Sequence, residues 1–203
     1  MNVGFAMCGS FCTFSKVFPV MERLAENHQV FPIFSFASAS TDSRFGTAAE
    51  FLERAERICG RPVIQTIAGA EPIGPKKLLD VLLIAPCTGN TLAKLSRSIA
   101  DTPVTMAAKS HLRNGRPVLV AVSTNDGLAG AAENIGRLLA RKHYYFVPYG
   151  QDDPAGKPQS LKADLTRLPA AVEAALQGEQ IQPVLLGQRP AGMAFQPAGN
   201  VVY

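Results

Sequence analysis

The residues best suited to chemistry fall in three short polar turns, each behind an apolar run: Gly9-Ser10-Phe11-Cys12-Thr13, Thr88-Gly89-Asn90-Thr91, and Ser123-Thr124-Asn125-Asp126-Gly127. Backbone N–H groups and hydroxyls at Gly9, Ser10 and Thr13 can cradle a phosphate. The alternative is that Ser10 or Thr13 is a plain helix N-cap. Gly89 leaves the backbone open to close approach. Asn90 offers an amide with two donors and an acceptor, and Asn125 repeats it. A further stretch, Ser38 to Gly46, is rich in hydroxyls and carries one arginine. Arg44 can clamp a carboxylate or phosphate, or pair with Asp42. The second and third glycines of the dinucleotide fingerprint G-x-G-x-x-G are missing from the first turn, so no nicotinamide site is expected. No metal site is expected either, because Cys8 and Cys12 lack zinc-ligand spacing and no histidine is near. Cys8, Cys12, Cys59 and Cys87 read as buried small hydrophobes.

These turns need a scaffold, and the intervening sequence supplies one. Val81 to Ala85 is an unbroken apolar run between Asp80 and Pro86. It is too short for a free-standing helix and reads as a strand buried on both faces. Pro86, lacking an N–H, is expected to end its ladder. Leu92, Leu95 and Ile99 then open a helix. Val3 to Met7 is a short apolar strand, followed by a helix with Phe14, Val17, Phe18, Met21, Leu24 and Ala25 on one face. Gln29 to Phe36 is a second strand, interrupted by Pro32. Thr47 to Cys59 is helical and stops at Gly60-Arg61-Pro62. Residues 61 to 79 are fragmented by Gly69, Pro72, Gly74 and Pro75. Pro103 to Arg113 is a helix capped by Asp101 or Thr102. Pro117 to Val122 repeats the buried strand, and its helix carries Leu128, Ala131, Ile135, Leu138 and Leu139. Asn90 and Asn125 would then project from neighbouring turns at one sheet edge, where open parallel sheets bind ligands. Tyr144 to Pro148 is the last strand, Tyr149 to Ser160 a long loop of a kind used as a lid, and Leu161 to Leu176 a helix. Five or six strands alternating with helices specify an α/β fold, a parallel sheet with helices on both faces. Residues 1–186 would form one domain and 187–203 a loose Pro- and Gly-rich tail.

Composition narrows the function classes. With 47% apolar and 18% charged residues, the chain of 203 residues can bury a full core, unlike a disordered segment. No apolar run approaches the roughly 20 residues that cross a bilayer, and the N-terminus lacks a signal peptide's pattern. A cytoplasmic location without membrane attachment is the expectation. The formal charge of +4 is scattered over Lys76, Lys77, Arg113, Arg116, Arg137, Arg141 and Lys142. With no nucleic-acid motif beside them, they read as a solvated surface able to attract small anions, not nucleic acid.

Pro86-Cys87-Thr88-Gly89-Asn90-Thr91 resembles the Pro-Ala-Ser-Ala-Asn-Thr motif of the flavoprotein family that includes the FMN-dependent cysteine decarboxylases. Nearly the whole chain is similar to one branch of that family, the dipicolinate synthase B subunits of spore-forming bacteria. The landmarks are Gly9 to Thr13, Thr41 to Gly46, Ala70 to Pro75, Ala85 to Asn90, Met106 to Lys109, Ser123 to Asp126 and Gly150 to Pro154. The resemblance implies a Rossmann-like or flavodoxin-like subunit in a homo-oligomer. It implies FMN held by Gly9, Ser10, Thr13, Ser35, Thr88, Gly89, Asn90, Thr91, Ser123 and Asn125. Arg44, Asn90 and Asn125 would meet a small dicarboxylate substrate. The implied activity is oxidation of a dihydrodipicolinate-type precursor to dipicolinate during sporulation, with the separate A subunit of dipicolinate synthase bringing NADP. One departure is pronounced. The decarboxylases' catalytic histidine falls on Pro72, and His28, His111 and His143 are not in replacement positions. Proline transfers no proton, which argues against decarboxylation of a cysteine-type substrate. That activity, and a non-catalytic binding role, are the alternatives.

Overall fold

The structure is a computed structural model that describes residues 1–187; the tail expected from Gly187 lies, beyond that residue, outside the described residues. Five strands form a parallel sheet in the order β2-β1-β3-β4-β5: β1 (Asn2–Met7), β2 (Gln29–Phe34), β3 (Val81–Cys87), β4 (Val118–Thr124) and β5 (Tyr144–Phe146). Two more, β6 (Tyr149–Gly150) and β7 (Leu161–Ala163), extend it antiparallel through a β4–β7 pairing. The α/β expectation holds, but the sheet is mixed rather than wholly parallel.

Alternation along the strands feeds two cores. Val3, Phe5 and Met7 of β1 and Val81, Leu83 and Ala85 of β3 pack under α1 (Phe14–Asn27), α3 (Ala48–Cys59) and α8 (Leu168–Leu176). Leu82, Ile84 and Cys87 of β3 face α5 (Gly89–Ser96), α6 (Pro103–Leu112) and α7 (Ala132–Leu139). Both faces of β3 are therefore covered, which is why its sequence reads as a continuous apolar run. The strand order reverses between β1 and β3, and the crevice above such a reversal is where α/β sheets bind ligands.

Several boundaries differ from expectation, each for a local reason. Pro86 does not end its ladder: the strand continues to Cys87, which pairs with Val122 after a register shift. The irregularity lets a residue without an N–H sit in a central strand. The second strand stops at Phe34, because Ser35 accepts a hydrogen bond from Ser38 N and caps α2 (Phe36–Ser40). Residues 61 to 79 contain a single bridge from Ile64 to Ile33 of β2 and two short helical turns, α4 (Ile67–Ala70) and a 3₁₀ turn at Glu71–Ile73 that includes Pro72. Leu128 lies before α7 and is exposed, as is Leu139. Leu161 opens a strand rather than a helix. β5 pairs with β4 only over Val118–Val120, and β7 takes the vacant edge at Ser123 and Thr124. Among the described residues no helix is long and apolar enough to cross a membrane, and no His/Cys/Asp/Glu group could hold a metal.

Candidate functional site

The polar turns meet at the carboxyl edge of the sheet. The ends of β1 and β3 are tied by Cys8 N–H donating to the Pro86 carbonyl at 3.2 Å, and β2 joins through Ser35 N–H to the Met7 carbonyl at 3.0 Å. Phe11 holds the first turn down, its ring stacked on Phe51 of α3 at 6.3 Å between centroids.

Neither Ser10 nor Thr13 is a side-chain cap. Their hydroxyls instead form a triangle with Ser123 of β4, at 2.9 Å from Ser10 to Ser123, 2.9 Å from Thr13 to Ser123 and 3.2 Å between the first two. The triangle joins the first and third turns. Gly89 joins the second to the third. A Cβ there would stand 2.8 Å from Asp126 Oδ1 and 2.9 Å from Thr124 Oγ1, so glycine lets these two side chains close over the second turn where they stand. Asp126 is fixed in turn by the Thr124 hydroxyl. At the other end of the third turn Gly127 lies against Leu161 of β7, where a Cβ would meet the leucine Cβ at 2.6 Å.

The remaining candidates divide. Asn90 and Asn125 are exposed, and no protein group among the described residues holds either amide. Thr88 caps α5, accepting from Thr91 N at 3.4 Å, while Thr91 is buried and donates inward to Cys8 Sγ at 3.2 Å. Ser35 is buried and committed to its cap. Arg44 neither pairs with Asp42 nor joins the three turns: its guanidinium lies 4.9 Å from the Phe45 ring centroid, and Asp42 accepts from Ala48 N. The long loop after β6 is anchored where Leu128 N–H donates to the Gln159 carbonyl at 3.0 Å and Asp152 meets Lys162 at 3.0 Å. Lys16, Arg23 and Lys162, which line a cavity beside Thr13 and Ser123, escaped the sequence reading, although Lys16 and Arg23 share one face of α1.

The thiols are not uniformly buried, as the sequence suggested; Cys12 is exposed because the 3₁₀ turn presents it to solvent. Burial pushes the Cys8 thiol up to about 11, against the opposing hydrogen bonds of Thr91 and Thr88. Burial, with Cys8 beside it, raises Cys87 well above the usual thiol range, and burial takes Cys59 to about 12 despite Arg61. Buried neutral thiols are poor nucleophiles. An aromatic disulfide reagent at pH 8 should therefore give one fast modification, abolished by Cys12→Ser. Three equally fast thiols would contradict this burial.

The edge fits a flavin mononucleotide. It presents two glycines, three clustered hydroxyls and two exposed amides, and no carboxylate stands in the first or second turn. Such donors suit a phosphate and the polar rim of a heterocycle. The family model "Flavoprotein" matches residues 1–146. The chain belongs to the flavoprotein family. Within that family it is 45% identical over 186 residues to the dipicolinate synthase B subunit of Bacillus subtilis (strain 168), covering 91% of this chain and 93% of the relative. The crystal structure of the dipicolinate synthase B subunit from Bacillus halodurans C superposes with a TM-score of 0.84 at 46% identity, covering 93% of this chain and 97% of that one. The FMN-dependent cysteine decarboxylase SpaF shares the flavoprotein fold at 19% identity, with a TM-score of 0.64 over 88% of this chain and 97% of its own.

Proposed function

We propose that this flavoprotein is the B subunit of a dipicolinate synthase. It would act in the cytoplasm of a sporulating cell as a homo-oligomer and partner a nicotinamide-binding A subunit. The observation that carries this reading is the 45% identity, which spans nine-tenths of both chains; the flavoprotein match over residues 1–146 takes in all three turns. The reaction removes a hydride and a proton from a dihydropyridine dicarboxylate, leaving the aromatic pyridine. Bound FMN would supply a two-electron hydride acceptor, and NADP on the A subunit the terminal one. In this chain Ser10, Thr13 and Ser123 would hold the flavin phosphate through the hydroxyl triangle. Asn90 and Asn125, free at the edge, would orient the ring or the substrate. Ser35, Thr88 and Thr91 would shape the backbone under the cofactor, since their hydroxyls are already engaged.

The decarboxylase alternative loses ground on proton chemistry. Pro72 lies in the 3₁₀ turn of Glu71–Ile73. Of the histidines, His111 is fully buried and its Nε2 lies 3.0 Å from the Pro117 carbonyl, at the amino end of β4 rather than the carboxyl edge. Pro72 has no proton to transfer, and His111 is held away from the carboxyl edge.

The test mixes this chain with the purified A subunit, the cyclic precursor and NADP, and follows dipicolinate by its ultraviolet absorbance. Product should form only in the mixture, and the same preparation should release no carbon dioxide from pantothenoylcysteine. Full-rate synthesis by either chain alone, or carbon dioxide release, would overturn the reading.

A further inference from the structure

Beside the triangle, a cavity of about 470 Å³ opens between α1 and the connection from β7 to α8. We propose that it binds a small, flat dianion which, resting on the reading above, is the cyclic dicarboxylate itself. The size lies in the usual range of small-ligand sites, roughly 300 to 1,000 Å³.

The lining has the chemistry of such a ligand. Lys16, Pro19, Val20 and Arg23 follow one another at spacings of three, one and three along α1, which puts them on one helix face. The two cations therefore flank an apolar centre. The opposite wall is Leu165 with Lys162, whose ammonium is held 3.0 Å from Asp152 and so has a fixed place. Ala121 and Val122 of β4 form a floor. A ring can lie on the apolar surfaces while carboxylates on its two sides meet cations from opposite walls.

The charge balance favours an anion. Three cations line it, of which Lys162 is already paired with Asp152, against one lining carboxylate, Asp164, which stands 3.9 Å from Arg167 Nε. Among the described residues neither Lys16 nor Arg23 is paired with a carboxylate. One exposed cation attracts an anion weakly, but several around a low-dielectric concavity focus their field. The cavity shares Thr13 and Ser123 with the carboxyl-edge triangle, so a ligand filling it abuts whatever that edge holds. Arg44, outside this group, is not needed for the carboxylates.

Equilibrium dialysis of the full chain against pyridine-2,6-dicarboxylate, and in parallel benzene-1,3-dicarboxylate, tests the site by ultraviolet absorbance. Saturable binding is expected, weakened about tenfold or more by the pair Lys16→Gln and Arg23→Gln. Both residues are exposed on α1, so the variant should fold, and its FMN titration by fluorescence quenching should be unmoved. Binding that survives the pair, or none below about 10 mM in the unaltered chain, would overturn the site. Loss of FMN binding in the pair would also overturn it, by giving the cavity to the cofactor's phosphate. The two readings fail separately. Charge-dependent binding without dipicolinate synthesis in the subunit mixture keeps the cavity and removes the proposed function. Synthesis unaffected by the pair does the reverse.

Discussion

Taking the protein from pH 7 to pH 4.5 should remove about 3 kcal/mol of unfolding free energy, most of it through one side chain, His111. Burial, first among the causes, lowers its imidazolium pKa from the ordinary 6.5 to about 4, with Arg116 acting in the same direction. The Pro117 carbonyl and Asp80 pull the other way without prevailing. Because the folded value lies below the unfolded one, the unfolded chain binds the proton first. Stability is complete above about pH 6.5 and falls as the pH drops towards 4. Urea unfolding at half-unit steps from pH 7.5 to 4.5 would show this slope, and His111→Leu should abolish it between pH 6.5 and 5. That variant removes the imidazole's hydrogen bond, but the Pro117 carbonyl keeps the Leu82 N–H at 3.1 Å, so the cost is that of one ordinary hydrogen bond, about 0.5–1.5 kcal/mol at every pH. An offset with a flattened slope is thus the expected signature. A variant that keeps the full slope would mean that the proton goes elsewhere.

The same histidine shows where sequence reasoning reaches its limit. His111 sits in the last turn of α6, in a helix that is legible from Pro103 and its Thr102 cap. It is fully buried with its Nε2 at the Pro117 carbonyl, where the chain returns to the sheet, and no local pattern announces that burial. The interior strands were legible because a strand covered on both faces must be apolar at every position, as Val81–Ala85 and Val118–Val122 are. β6 and β7 were not. Two- and three-residue strands carry no period, and they exist because β5 leaves the end of β4 unpaired. The polar turns were legible as sites of small residues, but their joinery was not. Ser10 and Ser123 stand 113 positions apart, and only the fold makes them one group. Lys16 and Arg23 share one helical face but escaped the sequence reading, because only the packing of β7 and the segment after it opposite α1 encloses them in a cavity.

Asn90→Ala should cut dipicolinate formation in the subunit mixture by about 10² or more, the loss that follows removal of one preorganised donor at a reacting centre. The unfolding free energy should move by no more than about 0.5 kcal/mol. The two halves of this prediction rest on one fact. Asn90 is exposed at the start of α5 and its amide has no protein partner among the described residues, so its removal leaves no buried group unsatisfied. Thr88, one residue outside α5, keeps its cap to Thr91 N and holds the helix in place without the amide. Gly89→Ala provides the contrast. Its Cβ would press on the Asp126 and Thr124 side chains and displace the pair that packs over the second turn. It should therefore weaken FMN binding together with activity, whereas Asn90→Ala should spare more of the binding than of the rate. A rate unchanged by Asn90→Ala would remove the asparagine from the chemistry. Equal effects of the two variants on FMN titration would mean that Asn90 serves the cofactor's seat rather than the reacting ring.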